Sequence, residues 1–209
     1  MLKNGLVSIC QPATGLGWTR LWKECFPPEE RPPLEMLLSD FASGKRLLHT
    51  SSSSDRLVCF SVIYPFSQFI WLDYLGVDKD YRSQGIGMQH LSQILLMCKT
   101  QYHASKGLFL AIDSTVQDGI DSAIAVIRKR RLSFYMKAGA KYVQQGNRIF
   151  IPNCVTQKAP MPGELLWFEF SSPVDSNELR SFVSAVYLHN FQFKQDEVDS
   201  MILQFQVKV

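Results

Sequence analysis

Residues 69–95, FIWLDYLGVDKDYRSQGIGMQHLSQIL, join an apolar strand, a short charged turn, a glycine pair and an amphipathic helix, and few folds accommodate that order. Aromatic and branched residues fill 69–77 as in a buried strand, while Leu91, Ile94, Leu95 and Cys98 recur at helical spacing. Between them lie Arg82, Ser83, Gln84, Gly85, Ile86 and Gly87. Gly85 and Gly87 have no Cβ, so the chain can turn tightly there and a ligand can approach the backbone. The helix that follows begins with unpaired N–H groups and the positive end of its dipole, an arrangement that binds phosphate. A dinucleotide fingerprint would need a third glycine where His90 stands, and a Walker loop would need GKS or GKT.

With 209 residues the chain can bury one sizeable core and is short for two full domains. Apolar residues make up 46% and charged residues 20%, which excludes a disordered chain. A net charge of +3 gives no case for a nucleic-acid partner and does not oppose an anionic cofactor. Cys10, Cys25, Cys59, Cys98 and Cys154 are scattered and contain no CxxC pair, which argues against a disulfide framework and against a metal site. There is no basic, hydrophobic, cleavable N-terminus and no apolar run near the ~20 residues of a spanning helix. A cytoplasmic location without a membrane partner is the expectation.

Along the chain, 5–11 reads as a first strand, followed by a loop whose Gly15-Leu16-Gly17 has nothing after it to complete a nucleotide fingerprint. Trp18, Leu21, Trp22 and Cys25 share one face of a short helix. Four prolines in 27–33 stop any regular helix there, and a second helix, 34–42, turns Leu34, Leu37, Leu38 and Phe41 inward. Residues 47–64 read as a hairpin with a serine-rich tip at 51–54, and no histidine base accompanies those serines in a recognisable motif. Residues 107–113 form a second buried strand, which with 69–95 makes a βαβ unit whose two strands are parallel.

A helix over 121–138 carries Ile124, Ile127, Leu132 and Tyr135, with Gly139 as its stop. Residues 141–145 and 148–152 suggest a hairpin about Gly146-Asn147, and 164–170 closes the sheet. Two further helices, 176–189 and 195–205, bear apolar stripes: Leu179, Phe182, Val183, Val186 and Tyr187 on the first, Val198, Met201, Ile202 and Phe205 on the second. The domain expectation is 1–172 as one domain with 173–209 as a helical extension packed on it. A homodimer interface is the alternative use of those stripes.

Two strings carry a family resemblance. Arg82-Ser83-Gln84-Gly85-Ile86-Gly87 resembles the (R/Q)-x-x-G-x-(G/A) signature of the GNAT acyl-CoA-dependent N-acetyltransferases, preceded as there by a strand ending Leu75-Gly76-Val77. Phe134-Tyr135-Met136-Lys137-Ala138-Gly139-Ala140 is similar to the FYxxxGF motif of the same superfamily. The likeness is good over 69–140 and only in outline elsewhere. It implies an α+β, three-layer fold with a mixed, largely antiparallel sheet of about six to seven strands and a splayed parallel pair at the cofactor site.

The resemblance also implies acetyl-CoA as co-substrate, with no metal. Backbone groups of Leu75, Gly76 and Val77 would hold pantetheine and polarise the thioester carbonyl. Arg82, Gln84, Gly85, Ile86, Gly87 and Met88 would form the pyrophosphate grip. Tyr135 would be general acid to the leaving thiolate, since a phenol of ordinary pKa near ~10 keeps its proton at neutral pH. Asp73-Tyr74-Leu75-Gly76-Val77 resembles an acidic variant of the strand motif, which makes Asp73 the candidate base or amine holder. Glu29 and Glu30, between the first two helices, would receive a cationic acceptor, a small-molecule or peptide amine. Arg128 stands where many relatives have asparagine, within the cationic run 128–131. The competing reading is an acyl-CoA-binding regulatory module with little or no catalysis.

Overall fold

The computed structural model describes residues 6–9, 17–53, 56–116, 120–143, 148–154, 160–171 and 173–204. The expectations placed on Cys10, on Gly15 and Leu16, on Ser54, on the Gly146-Asn147 turn and on Phe205 lie outside them. The strands are β1 (Leu6–Ile9), β2 (Leu47–Ser53), β3 (Arg56–Pro65), β4 (Phe69–Val77), β5 (Gly107–Asp113), β6 (Lys141–Tyr142), β7 (Arg148–Ile151) and β8 (Met161–Glu169). The α-helices are α1 (Trp18–Cys25), α2 (Leu34–Ala42), α3 (Ile86–Gln101), α4 (Ser122–Lys137), α5 (Ser176–Ala185) and α6 (Gln195–Gln204). The sheet runs β1-β2-β3-β4-β5-β8-β6, with β7 also on β8. It is mixed and largely antiparallel, with a parallel pairing of β4 and β5. No helix among the described residues is long and apolar enough to cross a membrane.

Two compact units share the chain: 1–65 with 72–103 and 154–157, and 66–71 with 104–153 and 158–209. In the first, β2 and β3 pair antiparallel, with His49 opposite Ser61 and Ser51 opposite Cys59. Residues 58–64 of β3 are all buried, as expected of a strand covered on both faces. Phe60 and Val62 join Trp18, Leu21, Trp22, Leu37, Leu48 and Tyr74 in one core cluster, while Val58 and Cys59 meet Ile86 of α3 in another. In α2, Leu34, Met36 and Phe41 pack against the first cluster around buried Leu37, and Leu38 is turned out at 38% exposure. Its neighbour Leu37 already fills the inward position, so Leu38 corrects the expected stripe.

In the second unit the start of β4 pairs with β5 in parallel register, Phe69 with Gly107, Ile70 with Leu108 and Trp71 with Phe109. Seven antiparallel pairs then join β5 to β8, from Gly107–Glu169 to Asp113–Gly163. Strands β6 and β7 both run along β8, Lys141 opposite Trp167 and Arg148 opposite Glu164, so they are successive segments on one neighbour rather than the two arms of a hairpin. The nine-residue β8 presents enough free ladder to take both.

The inward stripe of α5 rests on these strands: the Phe182 ring lies 4.9 Å from those of Phe69 and Phe109 and 5.4 Å from that of Phe66. On α4 the apolar positions divide. Tyr135 is buried, whereas Ile124 and Ile127 are 47% and 56% exposed. That half of α4 is fastened by polar contacts instead, Arg128 Nη1 donating to the Ser114 carbonyl at 2.8 Å and Arg131 Nη1 to the Asp113 carboxylate at 2.9 Å.

Candidate functional site

The glycine loop lies in the first unit and is built by three devices. The first is Asp78, immediately after β4. Its side chain is fully buried, accepts hydrogen bonds from Arg20 at 2.9 Å and Arg56 at 2.8 Å, and caps the short 3-10 turn Lys79–Tyr81 through the Asp80 amide. Burial alone would favour the neutral acid, yet the bonds from Arg20, the Asp80 amide and Arg56 outweigh it and hold the carboxyl at about 2. An Asp two residues before another Asp at a strand end is an Asx-turn signal that reading the glycines alone overlooks.

The second device is backbone conformation. Ser83 has φ +62° and Gly85 φ +82°, so the chain enters α3 through left-handed residues. A Cβ on Gly85 would meet nothing within 4 Å, so the glycine is required here by its φ and not by crowding. Gly76 is the opposite case, because a Cβ there would come within 2.5 Å of the buried Phe60 ring. Residues 82–85 are exposed, no side chain caps the helix, and its first turn carries no acid. The leading amides of α3, from Ile86 through Met88, therefore have no partner within the helix, and no acid stands in its first turn to repel an anion. Gln84 donates to the Asp80 carbonyl at 2.9 Å, which braces the loop from within.

The third device is His90. Its Nδ1 lies 2.7 Å from Ser51 Oγ and its Nε2 2.9 Å from Ser61 Oγ, so α3 is clamped to β2 and β3 one turn after the loop. Burial, with a smaller contribution from nearby His49, lowers the His90 pKa to about 4, and burial does the same to His49. The ring is thus neutral at ordinary pH and serves as a peg, one nitrogen donating and one accepting. The position that denies the chain a dinucleotide fingerprint is the one that fixes the helix.

Asp73 comes with a partner the sequence did not disclose. Arg46, 1% exposed, places Nε 3.4 Å from Asp73 Oδ2 and Nη1 2.8 Å from Asp40 Oδ2, so one buried guanidinium serves two carboxylates. No motif surrounds Arg46; only its burial in the fold reveals the role. The 3-10 turn Pro28–Glu30 is tied down through its carbonyls, Glu29 O accepting from the Cys154 amide at 2.6 Å and Glu30 O from the Tyr74 hydroxyl at 2.8 Å. Partial burial, reinforced by Asp73 and Glu30, pushes the Cys154 thiol up to about 11. Asp73, Glu30 and Cys154 therefore share one electrostatic neighbourhood. Sequence reading named the two acids and missed the cysteine, whose place beside them comes from tertiary contact alone.

Tyr135 belongs to the second unit, 7% exposed near the end of α4, its ring 5.0 Å from that of Phe134. Its carbonyl accepts from the amides of Ala138 and Ala140, which close the helix at Gly139, φ +95°. Arg128 and Arg131 are engaged at the end of β5, as described above, while Lys129 and Arg130 are exposed.

No family model matches the chain. It is similar to YjbC of Bacillus subtilis strain 168, 26% identical over 132 residues that make up 62% of this chain and 59% of that one. The match thus spans less than two thirds of that relative. Among solved structures the chain is similar to a GNAT-family protein of Bacteroides thetaiotaomicron, with a TM-score of 0.70, 18% identity, and coverage of 90% of this chain and 100% of that one. Both carry the name "putative acetyltransferase". It is also similar to an aminoglycoside 6'-N-acetyltransferase complexed with coenzyme A, with a TM-score of 0.59, 16% identity, and coverage of 81% of this chain and 100% of that one. Identities this low speak for architecture, and on that ground the chain has the fold of the GNAT acetyltransferases.

Proposed function

We propose that the chain is an N-acetyltransferase that moves an acetyl group from acetyl-CoA to a primary amine, of a small molecule or a peptide, by direct attack. The observation that carries this reading is the uncapped, acid-free start of α3 entered through left-handed Gly85. Its exposed loop and unpaired amides fit a pyrophosphate. Acetyl-CoA, when bound, supplies the activated acyl group as a thioester.

The chain's own residues would do the rest. The amides of Gln84, Gly85, Ile86, Gly87 and Met88 would neutralise the pyrophosphate charge, and main-chain groups of Leu75, Gly76 and Val77 would orient the pantetheine arm. To Tyr135 we assign the proton given to the leaving thiolate. Asp73 is better suited to holding a cationic amine than to taking its proton, because Arg46 already engages its carboxylate. Glu29 and Glu30 extend that negative character towards an acceptor.

A thiol-release assay with acetyl-CoA and a panel of primary amines tests the reading. Turnover on at least one amine is expected, and Tyr135→Phe should lower it roughly 100-fold, within the range for a general acid, while acetyl-CoA affinity stays within about twofold. Unchanged turnover in that variant removes the acid assignment. Binding of acetyl-CoA with no transfer to any amine would make the chain an acyl-CoA-binding regulatory module instead.

A further inference from the structure

Cys25 closes α1 at the point where β4 ends, and none of the motifs above includes it. Its Sγ lies 3.4 Å from the Val77 carbonyl oxygen and 3.6 Å from Arg82 Nη2, while Arg82 Nε donates to the same Val77 carbonyl at 3.1 Å. A Cβ on Gly76 would come within 3.1 Å of that sulfur, so the thiol also packs on the strand backbone. Thiol, guanidinium and carbonyl form a closed triangle that spans the gap between the strand end and the glycine loop.

We infer that Cys25 is a positioning residue for the acyl-CoA grip, holding Arg82 against the end of β4 so that the loop keeps its shape. The inference rests on the proposed function for its consequence, though the triangle itself does not. Burial raises the Cys25 pKa, with the Arg82 hydrogen bond partly opposing it, so the group is a protonated thiol at neutral pH. It therefore donates S–H to Val77 O and accepts from Arg82 through a lone pair. Arg82 commits its Nε to the Val77 carbonyl, so its task in the signature is to set the loop as much as to supply charge.

The test is a double-mutant cycle on coenzyme A affinity, measured by calorimetry on the full chain, with Cys25→Ala, Cys25→Ser, Arg82→Ala and Cys25→Ala/Arg82→Ala. Cys25→Ala should weaken binding roughly fivefold, the size expected from one lost hydrogen bond, and Cys25→Ser should recover most of it. In the Arg82→Ala background the same cysteine change should cost less than about twofold. Additive losses, or a serine variant no better than alanine, would overturn the inference. The Arg82 Nε–H resonance of the ligand-free protein gives a second readout. Slow solvent exchange is expected in wild type and Cys25→Ser and fast exchange in Cys25→Ala; equal exchange in all three would overturn the triangle. If wild type binds no coenzyme A, the functional reading fails and the exchange measurement alone decides whether Cys25 holds Arg82.

Discussion

Arg46 shows how one residue decides what its neighbours can do. With 1% of its side chain exposed and carboxylates at 2.8 and 3.4 Å, it offsets two buried negative charges. Replacing it by methionine keeps most of the volume but removes the guanidinium from both acids, leaving Asp40 with the ammonium of Lys45 at 3.7 Å. A loss of roughly 3–5 kcal/mol in unfolding free energy is expected, read from the urea midpoint. A loss below about 1 kcal/mol would show that water already satisfies those acids. Of the residues around the site, those with local signals were legible: Gly85 by its loop, Tyr135 by its motif, Asp73 by its place in the strand. Arg46, Cys25 and Cys154 were not, because the contacts of Arg46 with Asp73, of Cys25 with Val77 and of Cys154 with Asp73 each span 27 positions of sequence or more with no pattern to announce them.

Among the elements, α3 carries the most testable consequences. The clamp at His90 and the nearby His49 both have folded pKa values near 4 against an ordinary 6.5, so the unfolded chain binds more protons between those limits. Their contribution to stability is complete above pH 6.5 and is lost as pH falls from there towards 4. The melting temperature should fall across that window, and His90→Gln, which has no titrating ring, should flatten the fall. A profile unchanged by the substitution would assign the pH dependence elsewhere. Asp78 acts lower on the scale: its stabilisation is present above the ordinary 3.8 and disappears as pH falls to about 2, so the two windows separate.

At the head of the same helix, Gly85→Ala puts an L-residue at φ +82° in open space. About 1 kcal/mol of strain should lower the melting temperature slightly, with coenzyme A affinity falling more than that strain alone explains. Periodicity found both α3 and α4, but a hydrophobic pattern does not register the polar contacts of Arg128 and Arg131 that fasten α4 where Ile124 and Ile127 stay exposed. The β6 and β7 segments were misassigned as a hairpin because turn residues reveal where a chain bends and not which strand it then pairs with.

At the scale of the whole molecule, the parallel entry of β4 beside β5 follows from apolar runs of strand length separated by one amphipathic helix, while the α+β class came with the family resemblance. The mixed sheet could be anticipated because each strand announces itself locally, whereas the order along β8 depends on edges that only the assembled sheet offers. The proposed cofactor grip could be read for the same reason, being contiguous in sequence, whereas the proposed acceptor side draws on 29–30, 73 and 154, of which sequence named the acids and not the cysteine. Isothermal titration of acetyl-CoA into the full chain, beside Gly85→Ala, therefore tests the central claim most directly. One site per chain, weakened by the glycine substitution, is the predicted result; no binding heat at millimolar acetyl-CoA, or equal affinity in both proteins, would contradict it.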